Sequence, residues 1–368
     1  MQKTINQRLF LDIHAIQTMP PANINRDDTG SPKTAQYGGV TRARVSSQSW
    51  KSVMRKYFID RIDNIGFRTL KLAEGLAKAI QFEDSSKSYE ESLEISKELL
   101  KACVFKIKGK TTKVFELNEK DELSALFFVS KLQFKELAKL ALSGDYDYKK
   151  VKNILKKDSS IDIALFGRML AQDPSLNEDA SAQVAHAIST HAIQSEFDYF
   201  TAIDDLTPEE KTGAAMIDTT EYNSSTLYRY ANIALHDFHE QLGEKRETIE
   251  YTKLFVKAFI ESMPTGKINT FANQTLPQAV VVSLRTDRPL NMVSAFEDPI
   301  KSENGYVEKS IERLFSEYTK YDKILDKPIF TGYLLVNDQR VNEIGKAEEN
   351  LKELIADLET ELNKNLED

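Results

Sequence analysis

The segment TRARVSSQSWKSVMRK joins a basic strand pattern to the start of a predicted helix. Arg42 and Arg44 alternate in a short extended stretch, and Ser46 and Ser47 precede an apolar helical stripe that begins at Trp50. The first turn of a helix offers free amide hydrogens and partial positive charge, which suit a phosphate group. The residue types and their spacing therefore predict an anion-binding site around this helix start.

Two further cations, Lys51 and Arg55, lie one turn apart in the same helix, away from the stripe that contains Trp50 and Met54. Cations near a helix N-terminus are mildly disfavoured by the helix dipole, so an anionic ligand explains their position better than folding does. The alternative interpretation is that both are ordinary solvated side chains on an exposed helix face.

Net charge by itself argues against a nucleic-acid ligand, because the chain carries a formal charge of −8. The distribution of charge points the other way. From Thr29 to Tyr57 there is no Asp or Glu, whereas the same stretch contains Lys33, Arg42, Arg44, Lys51, Arg55 and Lys56. We expect one anion-binding face on an acidic body; a chance gap in the acidic residues is the simpler alternative.

Patterns for catalysis and metal binding are weak. The chain has one cysteine, Cys103, which excludes an intrachain disulfide, and it lacks a Walker phosphate loop and a GxSxG elbow. No cysteine or carboxylate cluster completes a metal-ligand set, so the histidines are interpreted as structural: His14, His186, His191, His236 and His239. Asp27 and Asp28 form a loop carboxylate pair beside an arginine, but aspartates are common in turns. We predict no catalytic residue, metal or cofactor.

The hydrophobic pattern outlines the elements that must position these residues. Alternation over residues 9–16 predicts a strand, and a long Gly/Pro-rich loop follows over residues 18–39. The apolar stripe from Trp50 to Ile65 predicts a helix. Residues 68–160 are rich in Lys, Glu and Leu and are interpreted as a helical insertion, with a possible hairpin of residues 104–107 and 113–117.

The remaining predicted elements are strands over residues 161–167, 227–235 and 279–284, a helix over 249–263 and a C-terminal helix over 341–362. Without the insertions, the order is strand, helix, strand, strand, helix, strand. That is the order of the split βαβ, or ferredoxin-like, unit. RNA-recognition domains share this architecture, and the predicted fold class is α+β.

An arm is predicted over residues 196–226. Phe197, Tyr199 and Thr201 alternate with other side chains as in a strand, and a tip rich in Pro, Glu and Lys follows before the chain returns. Aromatic side chains on a projecting hairpin need a partner, which is either a nucleobase or a neighbouring copy of the chain.

The composition is globular, with 368 residues of which 41% are hydrophobic and 29% charged, and the length allows roughly two domains. The first ten residues lack a long apolar core with a cleavage site, and no later stretch is apolar enough to span a bilayer. We therefore expect a soluble, cytoplasmic protein with no membrane partner.

Seven stretches of the chain together point to one family: INRDD, YGG, RVSSQSWKSVMRK, DIALFGRM, AHAISTH, DYFTAIDDL and LYRYANI. In order and spacing, they resemble the CasC backbone subunits of type I-E Cascade, a CRISPR surveillance complex. The resemblance runs to about residue 300 and is weakest in the helical insertion and the C-terminal tail. It implies an α+β, hand-shaped fold: a ferredoxin-like (RRM-like) palm in residues 1–67, 161–195 and 227–368, helical fingers in residues 68–160 and a thumb hairpin in residues 196–226.

The resemblance also implies which residues contact RNA. Residues of the palm helix contact the RNA backbone in the family, and they correspond here to Ser46, Ser47, Gln48, Lys51 and Arg55. The predicted set is completed by the arginines Arg26, Arg42, Arg44 and Arg168. The positions that pack around a distorted nucleotide correspond to Met169, Tyr199, Phe200 and Thr201, and Val40 stands where some members carry a lysine.

Such a subunit is non-catalytic: it oligomerises along guide RNA (crRNA) and presents segmented bases for pairing with invading DNA. It must therefore bind RNA by shape and charge, not by sequence. The implied partners are crRNA, target DNA, further copies of the chain and the other Cascade subunits. The alternatives are a type III-like RNA-guided ribonuclease that uses Asp27 or Asp28, and a protein-only filament in which the arm binds its neighbour.

Overall fold

The computed structural model describes residues 8–107, 110–157, 159–202 and 216–367. The strands, in chain order, are β1 (Phe10–Ala22), β2 (Thr34–Tyr37), β3 (Val40–Val45), β4 (Gly66–Thr69), β5 (Val104–Ile107), β6 (Lys110–Lys113), β7 (Phe127–Ser130), β8 (Ala182–Val184), β9 (Ala187–Ser189), β10 (Glu196–Ala202), β11 (Met216–Ala234), β12 (Pro277–Arg285), β13 (Phe330–Leu335) and β14 (Lys346–Ala347). The helices are α1 (Ser47–Ile59), α2 (Leu72–Glu83), α3 (Tyr89–Ala102), α4 (Lys131–Leu142), α5 (Tyr148–Lys156), α6 (Ile161–Phe166), α7 (Leu235–Leu242), α8 (Lys245–Glu261), α9 (Ile268–Phe271), α10 (Val307–Lys320) and α11 (Leu351–Asn365). Short 3₁₀ turns occur at Pro174–Leu176, Met292–Phe296 and Tyr321–Lys323.

The chain forms two compact units. The first, called the sheet unit, contains residues 1–57, 184–232 and 252–367. The second, called the helical unit, contains residues 58–183 and 233–251. Most of the predicted RNA-contact residues lie in the sheet unit, whereas Arg168 and Met169 lie in the helical unit.

The sheet unit is built on one extended sheet with the strand order β14-β13-β12-β1-β11-β9-β3-β2. β1 pairs antiparallel with β12, from Phe10 opposite Arg285 to Ile16 opposite Ala279, and β13 pairs antiparallel with β12 on its other side. β1 and β12 are buried along most of their length, because both faces of the central strands are covered; their sequences are therefore largely apolar. The strands predicted around residues 9–16, 227–235 and 279–284 are confirmed.

One face of the sheet packs against α10 and the adjacent 3₁₀ turn, which contributes the buried Phe296. Two polar groups of β1 are buried within the sheet unit. His14 Nδ1 lies 2.9 Å from the Tyr228 hydroxyl, and the Tyr230 hydroxyl donates a hydrogen bond to Asp12 Oδ1 at 2.6 Å. Burial raises the pKa of Asp12 to about 7 and lowers the pKa of His14 to about 3.

The position of α1 is set by a buried contact between an aromatic ring and a cation. Trp50 is 2% exposed, and the Arg229 guanidinium lies 3.6 Å from the Trp50 ring centroid and 4.3 Å from that of Phe259. Arg229 also donates to Gln17 Oε1 and to the Phe259 carbonyl oxygen. This contact anchors the first turns of α1, which carry several of the predicted RNA-contact residues.

The helical unit contains an apolar core to which α2, α3, α4 and α5 contribute. α3 and α4 each begin with a capping box, Ser88 with Glu91 and Ser130 with Gln133, which explains where these helices start. β4 pairs with β7, and β5 pairs with β6, both antiparallel. The mostly helical character predicted for residues 68–160 is confirmed, as is the hairpin, although its second strand covers residues 110–113 and not 113–117.

The strand predicted over residues 161–167 is wrong, because residues Ile161–Phe166 form the helix α6. All six residues of α6 are buried. A short apolar run that is buried on every side has no period that could separate a strand from a helix.

Three predicted boundaries are also corrected. α1 ends at Ile59, before the predicted end at residue 65, and β1 continues to Ala22, so that the loop before β2 covers only residues 23–33. The C-terminal helix begins at Leu351, ten residues after the predicted start at 341. Asn350 fixes this start, because its side chain accepts a hydrogen bond from the Glu353 amide.

Among the helices of the described residues, none has the length and apolar character needed to cross a membrane.

Candidate nucleic-acid interface

A loop, a strand and a helix start meet around Asn25 in the sheet unit. The Asn25 side-chain oxygen accepts a hydrogen bond from the Ser46 amide at 2.8 Å, and its carbonyl oxygen accepts one from the Lys33 amide at 2.9 Å. The Lys33 carbonyl oxygen in turn accepts a hydrogen bond from the Arg44 amide at 2.9 Å. These bonds hold the basic segment of the sequence together at one place on the unit.

Asp27 shapes the turn of this loop. Its Oδ1 accepts hydrogen bonds from the Thr29 hydroxyl at 2.7 Å, the Thr29 amide at 2.9 Å and the Ser31 amide at 3.0 Å. These bonds, that of the Thr29 hydroxyl above all, hold the pKa of Asp27 below its usual value. The arrangement is that of an Asx turn, while the neighbouring Arg26 and Asp28 are exposed.

The YGG stretch forms the turn between β2 and β3. Gly38 and Gly39 have φ angles of +60° and +76°, a conformation that suits a two-residue hairpin turn. A Cβ on Gly38 would lie 1.6 Å from the Glu297 carbonyl oxygen, so a larger residue does not fit.

Arg42 does not face the surface, which corrects the sequence prediction. Its side chain is 0% exposed, and its Nε donates to the Tyr37 carbonyl oxygen at 3.1 Å. Nη1 donates to the Ser189 carbonyl oxygen at 3.0 Å, and Nη2 donates to those of Phe296 and Glu297 at 2.8 and 3.2 Å. Because all three nitrogens are used inside the protein, Arg42 is a structural residue and is removed from the predicted RNA-contact set.

Arg44 is half-buried and lies further along β3. Its Nε donates to the Thr34 carbonyl oxygen at 3.0 Å, and its Nη1 lies 3.1 Å from His186 Nδ1. In the part of the chain that the structure describes, no carboxylate pairs with Arg44. His186, one of the five histidines predicted to be structural, is exposed beside it. The signal that sequence reasoning missed is the pairing of β3 with β9, which spacing along the chain does not reveal.

The two serines predicted to contact RNA at the start of α1, Ser46 and Ser47, differ in exposure and role. Ser46 is 3% exposed, and its hydroxyl oxygen accepts a hydrogen bond from the amide three residues further on at 3.4 Å, so it caps the helix. Ser47, the first residue of α1, is half-buried, and Gln48 is exposed. Lys51 and Arg55 are half-buried, and each also has an interaction within the chain. Ser46 is therefore reassigned to positioning the helix start.

The predicted arm is a hairpin of β10 and the first part of β11. The two strands pair antiparallel, from residue 196 opposite 222 to residue 202 opposite 216. Phe197, Tyr199 and Phe200 are 68%, 62% and 39% exposed, and Thr201 is also exposed. The predicted tip of the arm, residues 203–215, lies outside the described residues.

In the helical unit, Arg168 is buried and its neighbour Met169 is exposed. Arg168 is 4% exposed, and its guanidinium donates to the carbonyl oxygens of Leu176 at 3.0 Å and Leu155 at 2.6 Å. The predicted RNA contact of Arg168 is therefore withdrawn, and Arg168 is assigned a structural role in fixing the loop after α6. Met169 is 79% exposed and is available to a ligand.

Met169 borders two grooves of the helical unit. The first, of about 520 Å³, also contains Arg68, whose guanidinium lies 4.7 Å from the Phe128 ring centroid. The second, of about 250 Å³, is lined mainly by apolar residues, among them Phe115 and Leu126. An apolar thioether beside a stacked cation and ring is a surface that suits the face of a base.

Groups that could support redox or metal chemistry are sparse in the described residues. No group of three or more His, Cys, Asp or Glu side chains is placed there to hold a metal ion. Cys103 is buried, and burial raises the pKa of its thiol to about 12, which keeps it protonated and unreactive.

Comparison with known proteins places this geometry in a family. The family model described as CT1975-like protein matches residues 11–359. A chain of a solved structure described as "CRISPR RNA-guided surveillance complex, pre-nicking" is 31% identical with a TM-score of 0.86, over 96% of this chain and 100% of that chain. A chain of a second structure, described as "CRISPR RNA-guided surveillance complex", is 26% identical with a TM-score of 0.76, over 96% and 99% of the two chains. The comparison with curated proteins finds no match. The family resemblance predicted from seven stretches of sequence is thus confirmed, and the chain belongs to the family of CT1975-like proteins.

Proposed function

We propose that the chain is a non-catalytic backbone subunit of a type I-E Cascade, a CRISPR surveillance complex in which copies of the chain line the guide RNA. The observation that carries the proposal is the basic and polar surface around Asn25, in a chain that is 31% identical to a chain of an RNA-guided surveillance complex. The proposed partners are guide RNA, target DNA, further copies of the chain and the other subunits of the complex.

The RNA backbone binds to surface cations and to the start of α1. Asn25 brings the loop, β3 and α1 together, so cations from all three segments lie near the free amides of the first helical turn. The proposed contact residues are Arg26, Arg44, Ser47, Gln48, Lys51 and Arg55. Guides differ in sequence, so such a subunit can rely only on contacts to phosphates and sugars, while base pairing supplies specificity.

Where the thumb of one subunit crosses RNA held by the next, a displaced nucleotide packs beside Met169 and the thumb residues Tyr199, Phe200 and Thr201. Side chains alternate along a strand, so Tyr199 and Phe200 occupy opposite faces of β10. Their exposure, and that of Met169, excludes an ordinary core role for these side chains. Aromatic and thioether groups bind unstacked bases without reading sequence. Displacing single nucleotides divides the guide into short segments, which avoids winding guide and target continuously around each other.

The sheet unit provides most of the palm in this proposal. β12, β1, β11 and β9 are neighbours in that order, and α1 and α8 follow β1 and β11 in the sequence. With β9 taking the place of the wrongly predicted strand, this arrangement supports a ferredoxin-like, RRM-like palm. The proposed division is palm in residues 1–67, 161–195 and 227–368, fingers in 68–160 and thumb in 196–226.

The alternative function is an RNA-guided ribonuclease that uses Asp27 or Asp28. The hydrogen bonds of Asp27 within its own loop favour a conformational role for this carboxylate. The non-catalytic assignment predicts that assembled complexes leave matched RNA intact in the presence of magnesium or manganese.

The test is purification of the chain from cells with and without a CRISPR array and the other Cascade subunits. The proposal expects one discrete length of RNA to co-purify only when the array is present, together with a raised ratio of absorbance at nucleic-acid to protein wavelengths. Assemblies that form equally well without nucleic acid would instead support a protein-only filament.

A further inference from the structure

Two side chains that can carry positive charge, Arg44 and His186, meet beside the end of β3, and the charge of Lys33 also acts on His186. Arg44 Nη1 lies 3.1 Å from His186 Nδ1. β3 and β9 pair antiparallel, with Arg44 opposite Ile188 and Val45 opposite Ala187, so the next positions along the two segments are Ser46 and His186. Lys33 is joined to the same strand through the hydrogen bond from the Arg44 amide. His186 therefore directly precedes β9, at the end of the pairing where β3 leads into α1.

His186 differs from the other histidines in its exposure. All five histidines of the chain lie within the described residues, and His186 is the exposed one. His14 and His191 are 1% and 5% exposed, and His236 and His239 are half-buried. Of these side chains, His186 is the one that a large ligand in solution reaches most directly.

The charges that face His186 are both positive. Partial burial, Arg44 and Lys33, in that order, lower the pKa of the His186 imidazole. Neither Lys33 nor Arg44 has a carboxylate partner within the described parts of the chain. Cations grouped in this way repel each other, and an anionic ligand offsets that repulsion.

We propose that Lys33, Arg44 and His186 form a binding site for one phosphodiester group of the guide RNA, and that His186 takes up a proton when this group binds. The inference rests on the proposed function and adds to it a residue and a bound proton. The proton comes from solvent, binds Nδ1 of His186 and returns to solvent when the RNA dissociates; the hydrogen bond from Arg44 to Nδ1 is broken on protonation, and Arg44 then donates to the phosphate. The site holds three cationic groups around one negative charge, and α1 contributes its free amides alongside.

Proton uptake makes RNA binding depend on pH. The phosphate stabilises the charged imidazole, so the pKa of His186 is higher in the complex than in the free protein. Between these two pKa values, the affinity for RNA rises as the pH falls, by at most about tenfold per pH unit. The additional cation also steepens the salt dependence, by roughly 0.7 in the slope of log K against log salt concentration for a single strand.

The experiment measures binding of the full chain to a fluorescently labelled single-stranded RNA between about pH 5.5 and about pH 8, a range that spans the usual histidine pKa. His186→Gln keeps an acceptor for Arg44 but cannot become charged, and His236→Gln, in the helical unit, is the matched control. We expect the wild type and the control to bind more tightly at low pH. His186→Gln should match the wild type at high pH and lose most of this gain. An unchanged pH dependence in His186→Gln overturns the inference.

NMR titration of the His186 imidazole, with and without the RNA, separates this inference from the proposed function. A pKa that rises on adding RNA supports the site. RNA binding with an unchanged His186 pKa overturns the site and leaves the proposed function standing. A wild-type chain that binds no RNA at any pH, alone or with the other subunits, overturns both.

Discussion

Truncation of Met169 tests whether this side chain contacts nucleic acid or stabilises the fold. Met169 is 79% exposed, so about a fifth of it is removed from water in the isolated protein. Full burial of a methionine contributes about 1.5–3 kcal/mol, so Met169→Ala should lower the free energy of unfolding by about 0.5 kcal/mol. In a chain of 368 residues, that corresponds to a decrease in Tm of less than about 1 °C.

Met54, which is 0% exposed, provides the matched control. Met54→Ala removes a fully buried side chain and should cost about 2–5 kcal/mol. Circular dichroism of RNA-free protein measures both Tm values, and gel-shift titration measures target-DNA binding by complexes assembled on a guide.

Contact of a methionine sulfur with an aromatic ring contributes about 0.3–1.5 kcal/mol, so Met169→Ala should weaken target binding by roughly two- to tenfold if the side chain packs on a displaced nucleotide. Phe200→Ala should act in the same direction. A decrease in Tm close to that of Met54→Ala, with normal assembly and normal target binding, would refute the assignment of Met169 to the nucleotide.

Three further predictions concern charge. Replacing Lys51 and Arg55 together by Ala should weaken binding to all guide sequences alike and reduce the slope of log K against log salt concentration by roughly 1.4. Filter binding at several salt concentrations measures both effects. A loss of binding confined to certain spacers would contradict a phosphate contact. Asp27→Asn keeps an oxygen for the turn but removes the carboxylate, so target binding should be unchanged, and a metal-dependent RNA cleavage that this substitution abolishes would establish the ribonuclease alternative. Burial raises the pKa of Asp12 to about 7, so the native state retains a proton that the unfolded chain loses above about pH 4, and this contribution makes the free energy of unfolding fall as pH rises from there to about 7. Burial lowers the pKa of His14 to about 3, so between this pH and about 6.5 the unfolded chain binds a proton that the native state lacks. This contribution makes the free energy of unfolding rise with pH. The contributions of Asp12 and His14 therefore largely cancel in the wild type. Asp12→Asn should therefore gain stability with rising pH, by up to about 1.4 kcal/mol per unit between about pH 4 and about pH 6.5; urea denaturation curves whose pH dependence matches that of the wild type would contradict this.

Local patterns in the sequence were sufficient for the elements with a clear period or a clear terminus. The strands β1 and β12, the helix α8 and the hairpin of β10 and β11 follow from alternation, helical spacing and flanking turn residues. The predicted strand over residues 161–167 failed because every residue of α6 is buried, and complete burial removes the periodic signal.

Neighbouring arginines show where local patterns stop being informative. Arg42 and Arg44 occupy equivalent positions of one alternating pattern, yet Arg42 is buried by the carbonyl groups of Phe296 and Glu297, more than 250 positions away in the chain. Arg168 and Met169 are adjacent, and the structure buries the cation and exposes the thioether. In both cases hydropathy gives the opposite expectation, because the carbonyl oxygens that stabilise a buried guanidinium come from remote segments.

The sequence by itself therefore determined the family, most of the helices and strands, and the existence of a basic segment on an acidic chain. Tertiary structure decided which cations of that segment remain at the surface and which neighbours they have. His186 joins Lys33 and Arg44 only because β3 pairs with β9, and that contact spans 142 positions of the sequence. Strand pairing depends on the burial and hydrogen bonding of the whole sheet, and no local spacing encodes it.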